Sequence, residues 1–282
     1  MGFTRIGIVG AGTMGHGIAH VSALAGYEVV LQDVEEARVA AGVAKVRANM
    51  DKSVEKGKLT PLQREAALAC LTTTTTLSGL AGCDLIIEAI PEKLPMKVEL
   101  FRMLGGVVGV EAVLATNTSS LSLASIAAAA SFPERVIGTH FFNPVHIMTL
   151  LEIVVHSRTD ASVLEAVRSY GARIGKECIT VNDAPGFATS RLGVCLGMEA
   201  IRMVEQNVAS AEDIDKAMVL GYRHPVGPLR LTDMVGLDVR LAIGEYLARE
   251  LGNPAFEPPA LLRRMVAEGT LGQKSGAGFY RW

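Results

Sequence analysis

His140 and Glu152 are the residues of this chain whose types and spacing point most directly to acid–base chemistry. Thr139-His140-Phe141-Phe142-Asn143-Pro144 follows on the apolar run that starts at Val136. An imidazole titrates near neutral pH, the range a general base needs. Twelve residues on, Glu152 sits inside Leu150-Leu151-Glu152-Ile153-Val154-Val155. A carboxylate flanked by Leu151 and Ile153 is costly to bury without a partner. A turn over Val145 to Met148 would set the two runs side by side. Glu152 would then accept the second ring N–H of His140, fix its tautomer and stabilise the imidazolium. For His140 alone a histidine satisfied in the core is an equal reading, and the embedded acid tips the balance toward catalysis. A second polar cluster, Thr116-Asn117-Thr118-Ser119-Ser120, follows the apolar run Ala112 to Thr116. At the carboxyl edge of a parallel sheet it would face a bound ligand. Taken in isolation it reads better as a turn in which Asn and Ser bond nearby backbone.

Such groups need a scaffold, and the N-terminus supplies its signature. Ile6-Gly7-Ile8-Val9-Gly10-Ala11-Gly12-Thr13-Met14-Gly15 reads as strand, tight turn and helix, with glycines in the G-x-G-x-x-G spacing. Gly10 makes the turn, Gly12 lets a pyrophosphate approach the backbone, and Gly15 lets the helix pack close to the strand. The helix N-terminus favours negative charge. Met14, Ile18, Val21 and Ala25 recur at helical spacing, and Gly26 is placed to end that helix. Val29-Val30-Leu31 reads as the next strand, and Asp33 closes it 18 residues beyond Gly15. A carboxylate there accepts hydrogen bonds from the 2′-hydroxyl of NAD and repels the 2′-phosphate of NADP. A cap on the following helix is the bland alternative for Asp33, and the ribose role outweighs it because all parts of the fingerprint occur together.

Residues 1–182 alternate apolar strands with helical segments, the pattern of a parallel α/β sheet. Later strands are expected over Leu71 to Thr76, Asp84 to Glu88, Ala112 to Thr116, Val136 to Phe142 and Leu150 to Val155. A helical hairpin over about residues 35–70 interrupts the alternation, with a turn at Lys56-Gly57-Lys58 and a second helix opening at Thr60-Pro61. Its cations Lys45, Arg47, Lys52, Lys56 and Lys58 form either a solvated basic face or a seat for a phosphate-rich substrate tail. Residues 183–282 read as a mostly helical second domain. Helices are expected from Phe187 onward, from Ser210 to Gly221, from Asp233 to Glu250 and from Pro259 to Glu268.

Composition narrows the class of function. A chain of 282 residues with 49% hydrophobic content has room for two domains and a large core. The formal charge of −2 argues against nucleic acid. No apolar run is long enough to span a bilayer, and the N-terminus carries no signal-like segment, so a cytoplasmic location is expected. The four cysteines, Cys70, Cys83, Cys178 and Cys195, are scattered without a C-x-x-C pair. They read as reduced core residues, with no metal site and no disulfide framework.

Several further runs share one order with these motifs: Ile87-Glu88-Ala89-Ile90-Pro91-Glu92, Asn117-Thr118-Ser119-Ser120-Leu121, Pro185-Gly186-Phe187, His224-Pro225-Val226-Gly227-Pro228 and Lys274-Ser275-Gly276-Ala277-Gly278-Phe279-Tyr280. Over essentially its whole length the chain resembles the 3-hydroxyacyl-CoA dehydrogenase family, above all its stand-alone bacterial 3-hydroxybutyryl-CoA branch. The resemblance implies a Rossmann-type doubly wound, mostly parallel sheet followed by a mostly α-helical dimerisation domain. It implies NAD as cofactor, an acyl-CoA substrate and a homodimer. The implied reaction is reversible oxidation of (S)-3-hydroxyacyl-CoA to 3-oxoacyl-CoA. His140 would be the base, Glu152 its orienting acid, and Ser119 the hydrogen-bond donor to the substrate's 3-oxygen beside the nicotinamide. The loop Gly10, Ala11, Gly12, Thr13, Met14 and Gly15, with Asp33, Glu92, Lys97, Asn117, Asn143 and Lys274, would contact NAD. Lys56, and more weakly Asn49, would approach the adenosine end of CoA. One position departs from the family: Ser190 stands where an asparagine normally touches the substrate, and a hydroxyl lacks the amide's paired donor and acceptor. Two rival readings are a dehydrogenase of a free hydroxy acid (a sugar acid or carnitine) and a non-catalytic NAD-binding protein.

Overall fold

The computed structural model describes residues 2–282, which form two compact units that meet in sequence at Asp183 and Ala184. The N-terminal unit contains β1 (Arg5–Val9), α1 (Thr13–Leu24), β2 (Glu28–Gln32), α2 (Glu36–Glu55), α3 (Pro61–Ala69), β3 (Leu71–Thr74) and β4 (Leu85–Glu88). It continues with α4 (Leu94–Leu104), β5 (Val113–Thr116), α5 (Leu123–Ala127), β6 (Val136–Phe141), β7 (Leu150–Val155), α6 (Ala161–Arg173) and β8 (Glu177–Asn182). The eight strands form one sheet in the order β3-β2-β1-β4-β5-β6-β7-β8. The first six run parallel in the doubly wound order, β7 turns antiparallel to β6, and β8 runs parallel to β7. Strands β4, β5 and β6 are buried along their whole length, which is why they read as unbroken apolar runs. Ile6, Ile8, Ile18, Leu31, Leu85 and Ile87 anchor the core.

The helical hairpin is α2 and α3. Thr60 caps α3 through a reciprocal pair of bonds with Gln63, and Pro61 occupies the first helical position. Four elements, α4, α5, α6 and β8, have no specific counterpart in the sequence expectations. Strand β8 is an edge strand with no buried residue, so neither an apolar run nor a clean alternation marks it.

The C-terminal unit is helical: α7 (Thr189–Glu205), α8 (Ala211–Lys216), α9 (Pro228–Val235), α10 (Leu237–Leu251) and α11 (Ala260–Ala267). Val194, Met198, Ile201, Leu229, Leu237 and Leu247 form its core. Ser210 caps α8 by accepting the Asp213 N–H, and one π-helical turn extends it over Ala217–Gly221. The single helix expected over Asp233 to Glu250 is instead two. Gly236 breaks it at φ 101, a conformation reserved for glycine. The buried Asp233 accepts the N–H groups of Phe279 and Tyr280 and the indole N–H of Trp282, tying the C-terminus to the break. The four cysteines are unpaired, and no helix among the described residues is long and apolar enough to cross a membrane.

His20 on α1 stacks on His146 at 5.1 Å between ring centroids. Burial, with His146, His16 and Lys176 nearby, draws its pKa from the ordinary 6.5 down to about 4. The unfolded chain therefore takes up a proton that the folded chain refuses, so stability present above pH 6.5 is lost as pH falls toward 4. Urea unfolding should show a loss on the order of 3 kcal/mol across that window. In His20→Gln the window should flatten; a slope unchanged by that substitution would count against His20 as the source.

Candidate active site

The glycine loop leaves β1 after Val9 and enters α1 at Thr13. A Cβ on Gly15 would stand 1.7 Å from the Gly10 carbonyl oxygen, so only glycine lets α1 start this close to the strand. A Cβ on Gly12 would meet nothing within 4 Å, which leaves open space at the position where a pyrophosphate must approach. Gly12 is also the N-cap of α1 and provides no side-chain cap, so the helix's first N–H groups are available to an anion. The loop opens on a cavity of about 890 Å³, lined in part by Gly10, Gly12, Thr13, Met14, Asp33 and Pro91. These residues fit a dinucleotide.

Asp33 does not cap α2, whose N-cap is Glu35 without a side-chain bond. Its Oδ2 accepts the Ala11 N–H and its Oδ1 the Val34 N–H, each at 2.8 Å. The carboxylate thus ties the glycine loop to the end of β2 and lines the same cavity. Asp33→Ala should raise KM for NAD by roughly 10–100-fold, the scale of lost hydrogen bonds to a charged group. It should also narrow the gap between NAD and NADP. Unchanged KM values for both cofactors would refute the ribose role.

Strands β6 and β7 place His140 directly opposite Glu152 in antiparallel register. The His140 Nδ1 lies 2.9 Å from Glu152 Oε2, with Glu152 fully buried and His140 6% exposed. A carboxylate can only accept, so Nδ1 carries the proton and Nε2 is the basic nitrogen of the neutral ring. Phe142 packs against the imidazole at 4.5 Å between centroids. Asn117 Oδ1 accepts the Phe141 N–H at 2.9 Å, fastening the end of β5 to the residue beside His140.

Ser119 is held by a chain of groups to which the sequence reading gave no such role. Glu88 ends β4 fully buried. Its Oε1 accepts the Lys97 ammonium at 2.6 Å and the Ile90 N–H at 2.8 Å, and its Oε2 accepts the Thr116 hydroxyl at 2.6 Å. Burial pushes the Glu88 carboxyl up, opposed by Lys97, Thr116 and Ile90. Lys97 also meets Glu92 Oε2 at 3.3 Å, while Glu92 Oε1 accepts the Ser119 N–H at 2.8 Å and the Thr118 hydroxyl at 2.5 Å. Lys97 is 1% exposed, so its ammonium faces two carboxylates below the surface, a placement for holding Glu92 rather than for touching a cofactor directly. An acid ending an apolar strand was the readable signal for Glu88; its partner nine residues on lies beyond a turn, and no periodicity reports that.

The remaining candidates come from separate elements of the chain. Asn143 is exposed just past β6. Asn49 and Lys56 lie seven residues apart at the end of α2, on one helical face. Ser190 is the second residue of α7. Lys274, also in the C-terminal unit, pairs with Asp238 at 2.6 Å. No cluster of three or more His, Cys, Asp or Glu side chains suited to a metal occurs among the described residues.

A doubly wound sheet with an open glycine loop, an acid at the end of β2 and a buried His–Glu pair defines a nucleotide-dependent dehydrogenase. Residues 5–184 match the 3-hydroxyacyl-CoA dehydrogenase NAD binding domain, and residues 186–282 match the C-terminal domain of the same family. The chain belongs to the 3-hydroxyacyl-CoA dehydrogenase family, and NAD is its cofactor. It is 44% identical to a 3-hydroxybutyryl-CoA dehydrogenase of Mycobacterium tuberculosis over 99% of this chain and 98% of that protein. The crystal structure of Mycobacterium tuberculosis FadB2 superposes with a TM-score of 0.97, at 44% identity and full coverage of both chains. That of (S)-3-hydroxybutyryl-CoA dehydrogenase PaaH1 from Ralstonia eutropha gives 0.96, at 41% identity over 99% of each.

Proposed function

We propose that this protein catalyses the reversible, NAD-dependent oxidation of (S)-3-hydroxyacyl-CoA to 3-oxoacyl-CoA, with short chains such as 3-hydroxybutyryl-CoA among its substrates. The observation that carries the reading is the buried His140–Glu152 pair on facing strands, 2.9 Å apart. Nε2 of His140 takes the hydroxyl proton of the substrate. Glu152 keeps the ring in the tautomer that leaves Nε2 basic, and stabilises the imidazolium once the proton arrives. Ser119, with its backbone N–H held by Glu92, presents its hydroxyl to the 3-oxygen. NAD, when bound, accepts the hydride from C3. Asp33 and the glycine loop hold the dinucleotide, with Asn117 and Asn143 near its reactive end. Lys97 acts through Glu92. Lys56 and Asn49 meet the nucleotide end of CoA, while Ser190 and Lys274 contribute from the C-terminal unit.

Oxidation of NADH with acetoacetyl-CoA tests the assignment. Turnover is expected, and Lys56→Ala should raise KM for the thioester. Activity on free hydroxy acids with none on acetoacetyl-CoA would remove the CoA assignment. We further propose a cytoplasmic homodimer. Leu192, Met234, Val235 and Val239 of the C-terminal unit are exposed at 72%, 50%, 41% and 40%, an apolar set that a second copy would cover. Sedimentation at micromolar concentration should show twice the chain mass; a monomer there would refute the dimer.

A further inference from the structure

Residues 142–149 join β6 to β7, and so join the strand of His140 to that of Glu152. Inside this turn the Pro144 carbonyl accepts the N–H groups of Ile147 and Met148 at 2.9 and 3.0 Å. His146, Ile147 and Met148 are exposed, so bonds within the turn do not by themselves fix where it sits. Two outside contacts do. On one side Val145, 2% exposed, packs on α1, where a Cβ on Gly17 would stand 2.8 Å from the Val145 Cβ. On the other side Lys176, the residue before β8, donates from Nζ to the carbonyls of Val145 and Met148, the latter at 2.5 Å.

Lys176 is 9% exposed. A buried ammonium ordinarily sits against a carboxylate, as Lys97 does against Glu88. Both acceptors of Lys176 are instead main-chain carbonyls of one turn. An apolar side chain would fill the same space without desolvating a charge. What the charge adds is grip, since bonds from a charged donor are roughly twice as strong as neutral ones. We infer that Lys176 is a positioning residue for the reaction: its ammonium fixes the β6–β7 turn, and through it the setting of His140 and Asn143. This deepens the dehydrogenase reading and rests on it.

The grip should fail in alkali. Burial draws the Lys176 pKa below the ordinary 10.5, so its charge is lost sooner than that of a solvated lysine. His20 of α1, His146 of the turn, Arg173 of α6 and the exposed Lys58 line one cavity of about 450 Å³ with Lys176, and the exposed Glu177 follows it in β8. The pKa of His20 is drawn down to about 4 and that of His146 is also lowered, so neither titrates in alkali. An arginine stays charged throughout.

The test measures kcat for oxidation of (S)-3-hydroxybutyryl-CoA by NAD from about pH 7 to 10. Alkali favours an unprotonated base, so a fall in kcat at the upper end has to come from another group. The unaltered protein should show that fall. Lys176→Arg keeps a charged donor that does not titrate. It should hold kcat at neutral pH to within about threefold and abolish the alkaline fall. Lys176→Met should lower kcat by roughly 10–100-fold across the range, the scale of a misplaced catalytic group, with a smaller change in KM for NAD. No alkaline fall in the unaltered protein, a fall that persists in Lys176→Arg, or an undiminished kcat in Lys176→Met overturns the inference and leaves the dehydrogenase reading standing. If Lys176→Met does not fold, the Lys176→Arg profile decides alone. Absence of turnover in the unaltered protein counts against the dehydrogenase reading instead. Amide hydrogen exchange over residues 143–148, which needs no reaction, then decides whether Lys176 fixes the turn. Faster exchange confined to that segment in Lys176→Met supports it, and unchanged exchange overturns it.

Discussion

His140→Ala should lower kcat with acetoacetyl-CoA by roughly 10²–10⁴-fold, the contribution of a positioned general acid–base group. In the reducing direction this residue gives the proton that it takes during oxidation, so both directions should fall together. KM for NADH should move little, because the cofactor cavity is lined by the glycine loop and its neighbours rather than by His140. The substitution also leaves Glu152 buried without its ring partner, so a second variant is needed to separate chemistry from folding. His140→Gln keeps a side-chain N–H able to reach Glu152 and removes the titratable nitrogen. It should restore stability and leave the rate low. Glu152→Gln should lower kcat as well, since an amide can offer the ring an N–H where Nδ1 needs an acceptor. Steady-state rates at neutral pH decide the matter, and near-unaltered turnover in His140→Gln would clear the histidine of proton transfer.

The largest stability effect should come from Lys97. Lys97→Met leaves the fully buried Glu88 carboxylate with only the Ile90 N–H and the Thr116 hydroxyl, and breaking a buried pair in this way costs about 3–5 kcal/mol. Without the ammonium to oppose it, burial holds the Glu88 carboxyl above its ordinary 4.5. A carboxyl raised on folding contributes stability below 4.5 that is lost as pH rises through the raised value. The deficit of Lys97→Met should therefore be smaller in mild acid than at pH 8. The double variant Glu88→Leu with Lys97→Met removes both charges and should recover much of the loss. Urea unfolding of the single and double variants measures this directly. A deficit below about 1 kcal/mol for Lys97→Met would show that the pair is not the anchor described. The same variant releases one oxygen of Glu92, so kcat/KM should fall through a less firmly held Ser119.

Much of this was legible in the residues. The strands β1, β4, β5, β6 and β7 are short apolar runs because sheets covered on both faces admit little else, and their limits were read to within a residue or two. Thr60-Pro61 and Ser210 to Asp213 marked helix starts through cap chemistry that acts over three residues. The edge strand β8 was missed because exposed positions carry no hydrophobic signal. The break at Gly236 was missed because apolar periodicity persists across it.

Local signals, then, determined the class of fold, the glycine loop, the candidacy of His140 and Glu152 and the start of a helical second unit. They act within one turn or one strand, where spacing in sequence is spacing in space. Tertiary structure alone decided the rest. A buried ion pair tied Ser119 to Lys97 and Glu88, and Asp33 was turned onto Ala11. Each of these joins residues whose separation along the chain says nothing of their distance. What fixes them is the need to satisfy charge and hydrogen bonds once water is excluded.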